Sequence, residues 1–216
     1  MAKKEKQDVS LAVVRRLPRY YRFLVNLRNN GIQRISSLEI ARQMGLTASQ
    51  IRQDLNCFGG FGQQGYGYNV EQLKGEIENI LFLHDSIPAI LIGVGNLGRA
   101  LMGYLSNEAQ GVSLIGLFDQ NPRGIAEINP YIEVLNVSEL EGFCKRARPK
   151  LAILCIPENN AQAIAERLAG YGVTGFWNFS HIDLRLDESV IVENVHLGDS
   201  LMTLGFLIHT SFMSAQ

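Results

Sequence analysis

The run IGVGNLG, Ile92 to Gly98, sets glycines at 93, 95 and 98, the G-x-G-x-x-G spacing. Each glycine has its own task. Gly93 permits a tight turn, Gly95 lets a pyrophosphate approach the backbone, and Gly98 lets a helix pack closely on a strand. Together with Val94, Asn96 and Leu97 they form a loop whose N–H groups and helix dipole suit phosphates. The apolar run PAILI precedes this loop, and a helix carrying Ala100, Leu101 and Tyr104 follows it. A second apolar strand, VSLIGLF, ends in Asp119, at the position where a carboxylate accepts hydrogen bonds from adenosine ribose hydroxyls. Strand, glycines, helix, strand and acid in that order point to a bound dinucleotide. Asp119 would repel a 2′-phosphate, which favours NAD(H) over NADP(H), although Arg123 close by works the other way.

A different chemistry is available nearer the start of the chain. In SSLEIARQMGLTASQIRQDL, Ser36 with Glu39 and Thr47 with Gln50 make two helix-opening pairs, separated by Gly45. Two short helices on so tight a turn are a helix-turn-helix. Ala48, Ile51 and Leu55 would face inward, leaving Ser49, Gln50, Arg52 and Gln53 on the open side. Those side chains suit base edges and phosphates in a major groove. Arg16, from the basic run ahead of them, is a further candidate. Behind the second helix comes GGFGQQGYGYNV, Gly59 to Val70, five of whose first nine residues are glycine. A linker of that composition would lack aromatics. Phe58, Phe61, Tyr66 and Tyr68 instead suggest a glycine-rich turn between two short aromatic strands. Such a wing would bring Phe61, Gln63, Gln64, Gly65 and Tyr66 close to DNA.

The supporting elements follow from pattern. LPRYYRFLVNLRNNG reads as a helix with Pro18 in its first turn and Leu17, Tyr21, Leu24 and Leu27 on one stripe. Asn69 can cap the helix VEQLKGEIENILFL. Past Asp119, Ser138 with Glu141 opens a helix to about Arg148; KLAILCI, VTGFWNF and VIVENV read as strands, and ENNAQAIAERLAG as a helix. This alternation implies an α/β fold with a parallel sheet. Pro157, Asn178 and Ser180, beyond strand ends, become candidate lining residues. The last segment, DSLMTLGFLIHTSFM, is apolar on nearly every side, so it is either an ordinary core helix or is inserted into a partner subunit.

Bulk properties agree with two modules. The chain has 216 residues, 46% hydrophobic and 19% charged, with net charge −1. Residues 1–86 carry twelve Lys/Arg against eight Asp/Glu, and the remainder eight against thirteen. A basic first third on an acidic remainder suggests an anionic partner for the first module. Cys57, Cys144 and Cys155 lack disulfide or metal-ligand spacing, so no metal is expected, and Cys57 and Cys155 read as buried residues. No signal sequence or membrane span is evident, and a soluble, cytoplasmic protein is expected. The expected division is a disordered arm at 1–10, a winged-helix domain at 11–84, a Rossmann-like domain at 85–196, and a terminal helix at 197–216.

In this combination the chain resembles the Rex family of redox-sensing transcriptional repressors, in its clostridial-type branch. RRLPRYYRFL, SSLEIARQMGLTASQIRQDL, FGGFGQQGYGYNV, GVGNLGRAL, GFWNF and VENVHL each match a family segment, in order and over nearly the whole chain. The resemblance implies a homodimer with winged-helix domains, Rossmann domains and exchanged C-terminal helices. It also implies repression of fermentation and NADH-reoxidation genes when NADH is scarce, and release from palindromic operators when NADH binds. Arg52 and Gln53 fall where the family contacts DNA. Tyr104 matches a tyrosine near the nicotinamide, and Arg22 an arginine that the tyrosine helps to position. Gln64 stands where many members have Arg, and Gln53 where many have Lys. His196 replaces a common aspartate, with Asp199 close behind, and NFSH replaces NFAP, so the switch candidates are Arg22, Tyr104, His196 and Asp199. Two rival readings remain on the residues alone: an NAD-dependent oxidoreductase, for which His181 is the available acid–base group, or a CoA-binding module, each with an N-terminal helical appendage.

Overall fold

The computed structural model describes residues 9–59, 62–63, 66–107, 111–122 and 132–213. Residues 1–8 of the expected N-terminal arm, Phe61, Gln64, Gly65 and Arg123 lie outside these. The chain divides into two compact units, Met1–His84 and Asp85–Gln216.

In the first unit, α1 (Leu11–Asn29) is followed by β1 (Arg34–Ile35), α2 (Ser37–Met44), α3 (Ala48–Asn56), β2 (Gly62–Gln63), β3 (Gly67–Asn69) and α4 (Val70–Ile80). α1 starts earlier than expected, so Pro18 lies in its interior. Burial of Val13 and Leu17 holds the extra turns, and the carbonyl left without a donor, that of Val14, is on the exposed side. Tyr20, not Tyr21, completes the buried stripe with Leu17, Leu24 and Leu27. The Ser36–Glu39 capping box forms in both directions, and Gly45 closes α2 in the left-handed conformation. Leu17, Leu24, Ile51, Leu73 and Ile77 fill the core between these helices. β3 pairs antiparallel with both β2 and β1, a strand that the sequence pattern did not reveal. β2 is Gly62–Gln63, directly after Phe61, which lies outside the described residues.

The second unit contains β4 (Ile87–Ile92), α5 (Asn96–Asn107), β5 (Val112–Asp119), β6 (Val134–Asn136), α6 (Leu140–Ala147), β7 (Leu151–Leu154), α7 (Glu158–Gly170), β8 (Gly175–Asn178), β9 (Ile191–Asn194) and α8 (Leu197–Met213). Its six strands are all parallel and run in the order β6-β5-β4-β7-β8-β9. This is the doubly wound order in which the chain reverses direction between β4 and β7, opening a crevice beyond their carboxyl ends. α6 is entered differently from the expectation. Asn136 and Glu139 form the capping box around a 3₁₀ turn, whereas Glu141 pairs with Lys145 one helical turn on. Cys144 is buried, but Cys57 and Cys155 are only half-buried, less than expected; all three are free thiols.

Candidate nucleic-acid interface and dinucleotide crevice

α3 is fixed to α1 by one carboxylate. Asp54 is 1% exposed and receives four hydrogen bonds. Arg16 Nε and Nη2 donate at 2.6 and 2.8 Å, Tyr20 Oη at 2.6 Å and Gln50 Nε2 at 2.7 Å. Burial pushes the Asp54 carboxyl up, but the bonds from Arg16, Tyr20 and Gln50 outweigh it and hold the carboxyl below its ordinary range. Burial, reinforced by the bond to Asp54, pushes the Tyr20 hydroxyl well up. Sequence reasoning missed Asp54, because its partner Arg16 lies 38 positions away. Thr47 caps α3 by accepting from Gln50 N–H, but the Gln50 side chain turns to Asp54, so the second capping box is only half made. Arg16 and Gln50 thus brace α3, while Ser49, Arg52 and Gln53 stand exposed on its outer side. Arg52 donates to Ser37 Oγ at 3.2 Å.

The hairpin after α3 is anchored from beneath. Tyr68 is buried and Phe58 packs partly against the core, whereas Tyr66 is 71% exposed. Gly67 has φ +69°, and a Cβ there would lie 2.5 Å from the Ile35 carbonyl oxygen. No side chain other than hydrogen fits that approach. Asn69 then caps α4 by accepting from Gln72 N–H.

In the second unit the glycine loop leaves β4 and enters α5. Gly93 has φ +93°, and a Cβ on it would overlap the Cys155 carbonyl; a Cβ on Gly98 would overlap the carbonyl of Gly93. Gly95 is exposed, and a Cβ there would meet nothing within 4 Å. The fold itself therefore demands two of the three glycines, while the third borders open space. Asp119, at the end of β5, accepts from Val94 N–H and from Asn121 N–H, both at 2.9 Å. That ties the acid to the loop, and its remaining lone pairs can receive hydroxyls. A crevice of about 240 Å³ is lined by Gly93, Gly95, Asp119, Asn121, Pro157 and Asn160, with Cys155 among its apolar walls. Burial pushes the Cys155 thiol up to about 12. An open cradle at Gly95, a carboxylate tied to the same loop and a helix N-terminus fit a dinucleotide without a 2′-phosphate.

Asn178 and Ser180 are placed differently from Pro157. Both are buried, and Asn178 Oδ1 accepts from Ser180 N–H and Oγ–H at 3.0 and 2.6 Å. The Asn178 amide donates to the Ile182 carbonyl and to Asn194 Oδ1. They order the loop after β8 and do not line the crevice. Tyr104 on α5 is 46% exposed, and Arg22 on α1 is exposed. His196 Nε2 lies 2.9 Å from Asp183 Oδ1, and this bond holds the imidazole's proton affinity above its ordinary value. Asp199 sits in the first turn of α8, its N–H bonded to the His196 carbonyl. α8 shows Leu201, Met202, Phe206 and Leu207 each more than half exposed. It is not a core helix of this chain. Among the described residues no helix is long and apolar enough to cross a membrane, and no cluster of His, Cys, Asp and Glu could hold a metal ion.

A helix-turn-helix with a hairpin behind its second helix, joined to a doubly wound sheet with a dinucleotide crevice, defines a class of two-module regulators. Residues 8–56 match the family profile "Putative DNA-binding protein N-terminus", and residues 84–182 match the CoA binding domain family. The redox-sensing transcriptional repressor Rex of Thermoanaerobacter pseudethanolicus is 51% identical over 97% of this chain and 92% of its own. That of Clostridium acetobutylicum is 46% identical over 94% and 95%. The crystal structure of RSP in complex with β-NAD+ and operator DNA superimposes with TM-score 0.87 at 49% identity, covering 97% of both chains. RSP with β-NADH gives 0.87 at 47% identity, covering 97% of this chain and 99% of that one. The chain belongs to the Rex family of redox-sensing transcriptional repressors.

Proposed function

We propose that this protein is a homodimeric repressor that holds a palindromic operator through α3 and the hairpin, and lets go when NADH enters the crevice beside Gly95. The observation that carries this reading is the division of labour among the glycines and Asp119. A cradle open at Gly95 shares its crevice with an acid suited to ribose hydroxyls, in the same chain as a helix-turn-helix whose outer face is polar. RSP has been crystallised with β-NAD+ and operator DNA, and with β-NADH, which supports the same pair of ligands here. Asp119 also weighs against a CoA-type ligand, whose phosphorylated ribose it would repel.

The glycine loop and Asp119 face phosphates and adenosine, parts common to oxidised and reduced dinucleotide. They therefore set affinity without reading redox state. The nicotinamide end supplies the difference, cationic when oxidised and neutral when reduced. A ligand moves a two-state equilibrium only through its differential affinity, and a shift from 1:99 to 99:1 needs about 5.5 kcal/mol. In this reading Tyr104, Arg22, His196 and Asp199 are the groups through which the dimer passes from an open to a closed spacing of recognition helices. The pairing of His196 with Asp183 supports different contacts here from those of relatives with aspartate in that position. α8 supplies the dimer contact: a 17-residue helix with so apolar a surface needs a cover, and a second copy exchanging the same helix provides one. A gel-shift assay on a palindromic duplex, titrated separately with NADH and NAD+, tests the whole reading. Release at lower NADH than NAD+ is expected; release by NAD+ and not NADH refutes it.

A further inference from the structure

Arg34 and Tyr66 form a solvent-exposed pair beside the hairpin. Arg34 opens β1, where alternation sends Ile35 into the core and leaves Arg34 in solvent. Its guanidinium carbon lies 6.0 Å from the centre of the Tyr66 ring, and Nη1 approaches the Tyr66 carbonyl oxygen at 3.4 Å. Phe58 and Tyr68 already anchor the hairpin, so the largely exposed Tyr66 ring contributes little to burial. Among the described residues no carboxylate lies within salt-bridge distance of Arg34. Glu39, the nearest acid along the sequence, is occupied by the backbone and hydroxyl of Ser36.

The surroundings fix this pair in place. Gly67 runs against Ile35 and Ser36 so closely that a Cβ would lie 3.2 Å from Ser36 Cα. The hairpin is thereby clamped to the segment leading from Arg34 into α2. On the other side Arg52 reaches from α3 to Ser37 Oγ at 3.2 Å. Two guanidinium groups thus border the junction where hairpin, α2 start and recognition helix meet. A guanidinium laid against a ring is restricted to a plane while keeping its fork of donors, the geometry that suits a tetrahedral anion with two oxygens in reach.

We propose that Arg34, held by Tyr66, binds a backbone phosphodiester of the operator between the recognition helix and the hairpin. It would supply the cation that the hairpin sequence lacks at Gln63 and Gln64. The inference rests on the operator-binding reading above. A contact at the root of the hairpin, on a phosphate, positions the duplex without reading its sequence.

The test uses the full-length protein and a palindromic duplex selected from random sequence by the wild type. Binding is followed by fluorescence anisotropy between 50 and 300 mM salt. In the dimer Arg34→Ala removes two phosphate contacts, so it should weaken binding at least about tenfold at low salt and reduce the salt slope by about 1.8. It should weaken a duplex with scrambled half-sites by the same factor, leaving the specificity ratio unchanged. Arg34→Lys should keep the slope and lose part of the affinity, and Tyr66→Leu should lower affinity with the slope retained. NADH binding, measured by its fluorescence, should be unchanged in all three, and wild-type amide exchange in α1 and α3 reports an intact first unit. An Arg34→Ala protein with the wild-type slope overturns the proposal. So does one that loses discrimination between the two duplexes, since that assigns Arg34 to a base edge. If the wild type itself selects no duplex, the operator reading fails instead.

Discussion

Asp54→Asn is the most direct probe of how the recognition helix is held. In the wild type Oδ1 serves Arg16 Nη2 and Gln50 Nε2, while Oδ2 serves Arg16 Nε and Tyr20 Oη. Asparagine retains one oxygen, so one pair of donors meets an amide N–H. The Tyr20 hydroxyl can turn and accept, but the Arg16 guanidinium cannot. Removing one partner from a buried ion pair costs about 3–5 kcal/mol. The Arg16 side chain is 28% exposed and can recover some hydration, which lowers the figure to about 2–4 kcal/mol. Amide hydrogen exchange in α1 and α3 should then be faster by about thirtyfold to several hundredfold, at 1.4 kcal/mol per tenfold. Replacing both members, as Arg16→Met with Asp54→Leu, should recover part of that loss. The pH dependence has a definite sign. The folded carboxyl sits below its unfolded value of about 3.9, so its contribution is complete above that pH and is lost as pH falls through the folded value. Wild-type protection should decline in that acid window, and the Asp54→Asn protein should lack this step. Exchange within threefold of wild type at neutral pH would refute the argument.

Gly95→Ala and Gly98→Ala should separate ligand space from packing. The first should melt within about 0.5 kcal/mol of wild type, as expected for an exposed change, yet bind NADH at least about tenfold more weakly by fluorescence titration. The second should lower the melting temperature of the dinucleotide unit, because the Gly93 carbonyl occupies the space its Cβ needs; equal stability of the two variants would contradict this. Leu201→Asp with Phe206→Asp places two charges on the exposed apolar face of α8. Light scattering coupled to size exclusion should then report a monomer, and a persistent dimer would remove α8 from the interface.

Much of the architecture was readable because its signals are local. The Ser36–Glu39 box, Gly45 and the bounds of α7 depend on residues within one or two turns. The misreadings arose where two local signals overlapped or a distant partner decided. Asn136–Glu139 and Ser138–Glu141 satisfy the same capping spacing two residues apart, and only the Asn136 pair closes in both directions. Pro18 carries a helix-start signal, but Val13 and Leu17 bury enough surface to extend α1 past it. Asp54 sits between Gln53 and the core residue Leu55, and nothing near it indicates that Arg16 and Tyr20 converge there. Asn178 and Ser180 stand at a strand end, where lining residues belong, but hydrogen-bond to each other and turn inward. For α8 the sequence shows an apolar surface without showing what covers it.

The glycines of the chain differ in which atom excludes a side chain. At Gly67, Gly93 and Gly98 the excluding atom belongs to the protein's own backbone. Those glycines would be needed by the fold whether or not anything binds. At Gly95 no protein atom excludes a methyl group, so packing gives no reason for glycine there. The close approach of a ligand does. A glycine that the fold does not require, beside a carboxylate and a helix N-terminus, leaves room in the crevice for a ligand to approach the backbone. The hairpin is no flexible tether: Gly67 lies tight against Ile35 and Ser36, and the glycine there fixes the hairpin in place.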